Sequence, residues 1–283
     1  MPFATLQMYK IIVVLFLIGI VCLMIGSGIA TVPYQTSLIC VASLFIFFLG
    51  FLNINVVVGI FILAMLLSPE ATVGTVPGRD ITIRIEDVVI ILLTFIWMGQ
   101  TAINKNLRLF SPTLLNRTIG LYCTVFILFT ARGMIAAKVE PLKGTFYVLK
   151  YLEYFVIYFL AANIITSKKQ MKIFIAIFLL TFTIVNVYAA MQIGGEAGRV
   201  SAPFEIAAGR AGEPNTLGGY QVLLLGITLG LFLYARSFGL KIFLGGLAVF
   251  TLWPFIHTYS RSSYMAIIPM YLSFIIFSKK SRL

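Results

Sequence analysis

Two stretches of this chain set arginines among small and turn-forming residues at the edges of long apolar runs. The first, GGEAGRVSAPFEIAAGRAGEPNTLGG (residues 194–219), holds Arg199 and Arg210 with Glu196, Glu205 and Glu213. The second, HTYSRSS (residues 257–263), holds Arg261. Arginine offers a rigid fork of donors that matches phosphate oxygens, keeps its charge, and sheds water more readily than lysine. The glycines around Arg199 and Arg210 let the backbone approach a ligand closely. Pro214-Asn215-Thr216 reads as a helix start, with Asn215 or Thr216 as the cap, so the positive end of a helix dipole points at the same loop. The chemistry this favours is capture of an anionic head group. The competing reading is that the arginines pair with the three glutamates or with lipid phosphate, as basic residues at membrane interfaces commonly do.

A further candidate is Arg132, about a turn and a half inside an apolar run, with Glu153 inside the next one. Ionisable groups at such depth pair or line a cavity. Equally open is that Arg132 snorkels to the surface and Glu153 pairs with Lys150 three residues earlier.

The elements that position these residues follow from composition. The chain has 283 residues, of which 60% are hydrophobic and 11% charged, with a mean hydropathy of +1.04. There is too little polar material to cover a single globular core of that apolarity, so this is an integral membrane protein. A bilayer core of about 30 Å takes roughly 17–25 helical residues. Candidate spans lie near 11–30, 37–52, 54–67, 88–103, 119–137, 146–165, 173–193, 217–235, 242–256 and 262–277. The expected fold is all-α, a polytopic transmembrane helical bundle of about ten spans forming a single integral membrane domain over residues 1–283. Only Asn53 divides 37–52 from 54–67, and fusing the two gives nine spans. The run at 11–30 is read as a retained helix rather than a cleaved signal peptide, because it is about 20 residues long and more spans follow.

Charge sets the orientation. With both termini cytoplasmic, the inner loops hold Lys10; Lys105, Arg108 and Arg117; Lys168, Lys169 and Lys172; Arg236 and Lys241; and Lys279, Lys280 and Arg282. The outer loops and their helix ends hold the remaining Lys and Arg and all 9 Asp and Glu. The formal charge of +12 thus gathers on one side, as the positive-inside rule requires. Topology and anionic inner-leaflet lipid explain that charge without nucleic acid. Cys22, Cys40 and Cys123 fall within spans, which argues against a disulfide framework, and their spacing suits no metal. No metal or other cofactor is expected.

The first three helices are nearly free of polar groups and read as scaffold. The outer segment 68–87 contains a polar–apolar alternation at residues 80–85, expected to lie along the interface. The inner loop 104–118 is basic with interleaved Leu and Phe, a membrane-surface segment. The other inner loops are tight, which leaves the functional surface on the outside.

RVSAPFE…GEPNTLGGY (residues 199–220), a further span, and then YSRSSYMA (residues 259–266) resemble the O-antigen ligase and polymerase family of bacterial inner-membrane proteins. RIEDVVIILLTFIW (residues 84–97) also fits that family's fourth helix. The resemblance implies a periplasmic site acting on an undecaprenyl-diphosphate-linked glycan donor, in lipopolysaccharide or surface polysaccharide biosynthesis. The acceptor would be lipid A core for a ligase and another glycan for a polymerase. Arg199 matches the family arginine ahead of Pro-Asn and Arg261 the arginine of Ser-Arg, both holding the diphosphate, while Arg210 falls in a stretch without a counterpart. The implied reaction is metal-independent glycosyl transfer: the acceptor hydroxyl attacks the sugar C1, the polyprenyl diphosphate leaves, and the arginines stabilise its growing charge.

The family also carries a large later periplasmic loop with a histidine, whereas this chain ends at SKKSRL. Its one histidine, His257, lies near Trp253 and Tyr259 and is read as interfacial rather than as a base. The expectation is the N-terminal part of a longer protein or a degenerate member. Two other readings stay open. A lipid-linked glycan transporter would show repeats and midplane charges, which are not seen here. A non-catalytic or truncated membrane subunit could pack through Gly226-x-x-x-Gly230.

Overall fold

The computed structural model describes residues 34–68, 70–76, 79–103, 111–195, 198–203 and 214–277. The expected span at 11–30, Glu196, Glu205, Arg210, Glu213 and the C-terminal residues 278–283 lie outside the described residues. In chain order the elements are α1 (Tyr34–Leu52), α2 (Ile54–Leu67), β1 (Glu70–Val76), β2 (Arg79–Arg84), α3 (Ile85–Ile103), α4 (Asn116–Ile135), α5 (Pro141–Ile164), α6 (Lys168–Met191), α7 (Pro214–Tyr234), α8 (Phe238–Ile256) and α9 (Arg261–Phe277).

Six of these helices, α3 to α8, are long and apolar enough to cross a membrane. Helices suit that setting because every interior backbone group is satisfied within the segment. The chain is a helical, multi-pass membrane protein, with one small two-stranded hairpin among the described residues. Asn53 does break the apolar run of residues 37–67: α1 ends at Leu52, α2 begins at Ile54, and Asn53 Oδ1 accepts the backbone N–H of Asn55 at 3.1 Å. An asparagine at a helix start satisfies an orphan amide in this way.

The described chain divides into two compact units. The first comprises the described residues within 34–58 and 88–170. Its α3 buries Val89, Leu93 and Ile96, one stripe at helical spacing. A Cβ on Gly50 of α1 would collide with Ile96, so glycine is what lets α1 approach α3. Gln100 Nε2 donates to the Gly50 carbonyl at 3.2 Å. Helices α4 and α5 form an antiparallel pair with Tyr122 against Phe155 and Phe126 against Tyr151. Arg132 stands exposed in the last turn of α4, and Lys150 pairs with Glu153 at 3.2 Å. Of the alternatives read from sequence, the i,i+3 ion pair of Lys150 with Glu153 is present here.

The second unit comprises the described residues within 59–87 and 171–277. Residues 80–84 of the alternating segment belong to a hairpin, and Ile85 starts α3: β1 and β2 pair antiparallel from Glu70↔Arg84 to Val76↔Arg79, with an irregularity between Thr72 and Gly74. At its base, buried Glu86 accepts hydrogen bonds from Ser68 Oγ and, at 3.2 Å, from Arg84 Nη1. Asp87 reaches back to the Arg84 backbone N–H at 3.0 Å, the return half of a capping box that starts α3.

The core of this unit joins Leu66 of α2, Val185 and Ala189 of α6, Val200 and Ala202 of the following loop, and Leu217 of α7. A second cluster joins Phe182, Leu224 and Leu247. Helix α7 packs on both α8 and α9. Gly218, Gly226 and Gly230 of α7 face Ser263, Met270 and Phe274 of α9, so the two helices run parallel in register. The Gly226-x-x-x-Gly230 face is thus used within the chain.

Candidate functional site

The segment 198–203 is stitched down on both sides. Gln192 and Ser201 exchange hydrogen bonds, Ser201 N donating to Gln192 Oε1 at 3.0 Å and Gln192 Nε2 to the Ser201 carbonyl at 2.9 Å. Val200 N donates to the His257 carbonyl at 3.1 Å. Val200 and Ala202 are buried, while Arg199 between Gly198 and Val200 remains exposed. Its guanidinium donates through Nε to the Thr258 carbonyl at 3.0 Å and through Nη2 to the Tyr259 carbonyl at 3.1 Å. Two of its five N–H donors go to those carbonyls. The remaining edge lines an open depression of about 510 Å3 together with Asn215, Tyr259, Arg261 and Ser262.

The turn between α8 and α9 explains how Arg261 gets there. Thr258 Oγ1 donates to the Phe255 carbonyl at 2.7 Å, closing α8. Tyr259 then adopts φ +48, the left-handed region that residues other than glycine seldom occupy. The Arg199 bonds to carbonyls 258 and 259 hold that conformation. Ser260 follows as the N-cap of α9, its Oγ accepting the Ser263 amide at 3.3 Å and contacting Ser263 Oγ at 2.8 Å and Ser262 Oγ at 3.1 Å. Arg261 is therefore the first helical residue and Ser262 the second.

Helix α7 contributes its own beginning. It starts at Pro214, where the missing N–H costs nothing, so Asn215 and Thr216 lie inside its first turn rather than at the cap. Asn215 lines the depression from there. Two parallel helices thus bring their N-termini to one place, where unsatisfied amides and the dipole favour negative charge. Two guanidiniums add to the same field. Among the described residues neither Arg199 nor Arg261 pairs with a carboxylate. The arrangement suits a multiply charged oxyanion such as a diphosphate.

Of the candidates read from sequence, Arg199, Asn215 and Arg261 share this depression. Arg132 belongs to the other unit, and Arg210 lies outside the described residues. His257 is not among the lining residues: its Nδ1 is bonded to the Trp253 carbonyl at 2.9 Å, and its ring packs edgewise on Tyr259. Tyr259 and Ser262 are lining residues that sequence reasoning did not single out. The Ser-x-x-Ser spacing of Ser260 and Ser263 was the available signal for where α9 begins. Among the described residues no group of three His, Cys, Asp or Glu is placed to hold a metal ion.

Comparison with family models, with curated proteins and with solved structures finds no match for this chain.

Proposed function

We propose that this protein binds the diphosphate head of a polyprenyl-diphosphate-linked glycan in the Arg199–Arg261 depression and transfers or polymerises that glycan, in the manner of an O-antigen ligase or polymerase. The observation that carries the reading is the convergence of two arginines with the N-termini of α7 and α9 on one exposed depression. The acceptor hydroxyl would attack the sugar C1 as the bond from C1 to the diphosphate oxygen breaks. Charge then grows on the leaving diphosphate, and donors already aimed at that position lower the barrier without reorganising. The asymmetric distribution of Lys and Arg supports a bacterial inner membrane location with this site on the periplasmic face.

A second reading is a subunit that binds the lipid diphosphate without reacting. It is favoured by the described lining residues, which supply donors: Arg199, Asn215, Tyr259, Arg261 and Ser262.

Proteoliposomes holding the full chain, an undecaprenyl-diphosphate glycan and an acceptor lipid separate these readings. Transfer that Arg261→Ala abolishes, in protein still inserted, supports the transferase. Arg261-dependent binding without transfer supports the subunit. Normal transfer by both Arg199→Ala and Arg261→Ala would sink the site assignment.

A further inference from the structure

A second concavity, about 660 Å3 and mostly apolar, runs along the same two helices. Asn215 of the arginine depression is followed on α7 by Gly219, Leu223 and Gly226 of the groove. Ser262 of the depression is followed on α9 by Ala266, Met270 and Phe274. Successive members are three or four residues apart, so each set is one stripe on one helix face. Because α7 and α9 run parallel and both begin at the arginines, the two stripes descend together from the polar end. The groove exists because its upper floor has no side chains: nothing lies within 4 Å of a Cβ built on Gly219. Lower down, Met270 closes on Gly226, whose Cβ would lie 3.3 Å from the Met270 sulfur. From Ser262 to Phe274 the helix rises about 18 Å at roughly 1.5 Å per residue, more than half of a bilayer core of about 30 Å.

We infer that the depression and the groove are one binding site for a single amphiphile, with the phosphate head at Arg199 and Arg261 and one long isoprenoid chain laid along Gly219, Gly226 and Ala266. This rests on the diphosphate reading of the arginine depression. The charge at one end and the mostly apolar groove on the same two helices match a lipid phosphate. The groove's volume of about 660 Å3 suits one chain rather than the paired chains of an ordinary phospholipid. Gly219 is then the specificity-determining position, one turn below the head group.

The test uses the full chain in phosphatidylcholine nanodiscs, titrated with inorganic diphosphate, farnesyl diphosphate, undecaprenyl diphosphate and phosphatidic acid. The expected order of affinity is undecaprenyl, then farnesyl, then inorganic diphosphate. Gly219→Leu should weaken undecaprenyl diphosphate about tenfold, the burial of roughly two methylenes, while inorganic diphosphate stays within about twofold. Ala266→Leu, on the facing helix, should do the same. Equal effects of both variants on all probes, or none on any, would overturn the groove while leaving the head site standing. Phosphatidic acid binding as tightly as undecaprenyl diphosphate, with the same sensitivity to Gly219→Leu, would overturn the single-chain assignment. No binding of any phosphate probe, with Arg261→Ala unchanged from the parent, would overturn the diphosphate reading and the inference together.

Discussion

Gly218 of α7 lies directly against Ser263 of α9: a Cβ added to the glycine would sit 2.8 Å from Ser263 Cβ and would overlap Ser263 Oγ. Ser263 is buried and held by Ser260, so it has no free direction in which to retreat. This contact sets how closely the two helix N-termini approach, and therefore how closely Asn215 approaches Arg261 and Ser262.

Gly218→Ala should accordingly cost about 1–3 kcal/mol, the range of overpacking in a close-packed site. Thermal unfolding in detergent measures it, and adding Ser263→Gly should restore much of the loss. Gly219→Ala is the control. Its Cβ meets nothing, and the exchange of glycine for alanine inside a helix should leave stability unchanged or raised by about 0.5–1 kcal/mol. Equal destabilisation by the two alanines would refute the close-approach argument.

The two arginines should fail in different ways. Arg199 spends donors on the Thr258 and Tyr259 carbonyls, so Arg199→Ala loosens the α8–α9 turn as well as the site. Each lost hydrogen bond is worth about 0.5–1.5 kcal/mol. Arg261 is exposed at the start of α9, so Arg261→Ala should abolish diphosphate binding with the unfolding midpoint unchanged. Limited proteolysis of residues 257–261 reports the turn directly, and only Arg199→Ala should accelerate cleavage there.

Asn186 of α6 and Gln221 of α7 are both fully buried, and Gln221 Nε2 donates to Asn186 Oδ1 at 2.9 Å. Asn186 Nδ2 is in turn bonded to the Phe182 carbonyl at 2.8 Å. Asn186→Leu leaves the Gln221 amide without that partner and should cost about 1–3 kcal/mol. Replacing both by leucine should cost less than the two single changes together, because no orphaned group remains. Additive losses in this cycle would show that the pair does not couple α6 to α7.

The charge asymmetry makes a topological prediction. In a cysteine-free background, single cysteines replacing Arg236 or Lys168 should react with an impermeant maleimide only from the cytoplasmic side. Cysteines replacing Lys143 or Arg261 should react only from the opposite side. Labelling of Arg236→Cys and Arg261→Cys from one side would overturn the orientation.

Much of the helical pattern was legible in the linear order of residues, because crossing a bilayer demands long apolar runs and the break at Asn53 is a local capping event. The hairpin was only half visible. Residues 80–85 alternate, but β1 carries an irregularity at Thr72/Gly74, and pairing partners leave no local mark. The end of α9 nearest the site was read one residue late, since the cap at Ser260 is recognised by its bond to Ser263 rather than by apolarity.

For the site, the sequence by itself determined which residues could bind an anion: guanidiniums next to glycines and helix-start residues at the edges of apolar runs. Those are properties of residue type and neighbourhood. Only the tertiary structure decided that Arg199 reaches carbonyls 59 and 60 residues away and so serves the turn as well as the depression. It likewise decided that Arg132 stands in the other unit. The groove below the arginines belongs wholly to this second category. An empty stripe arises only when the missing side chains of Gly219 and Gly226 on one helix face Ala266 and Met270 on another, and that register is set by the close contact of Gly218 with Ser263.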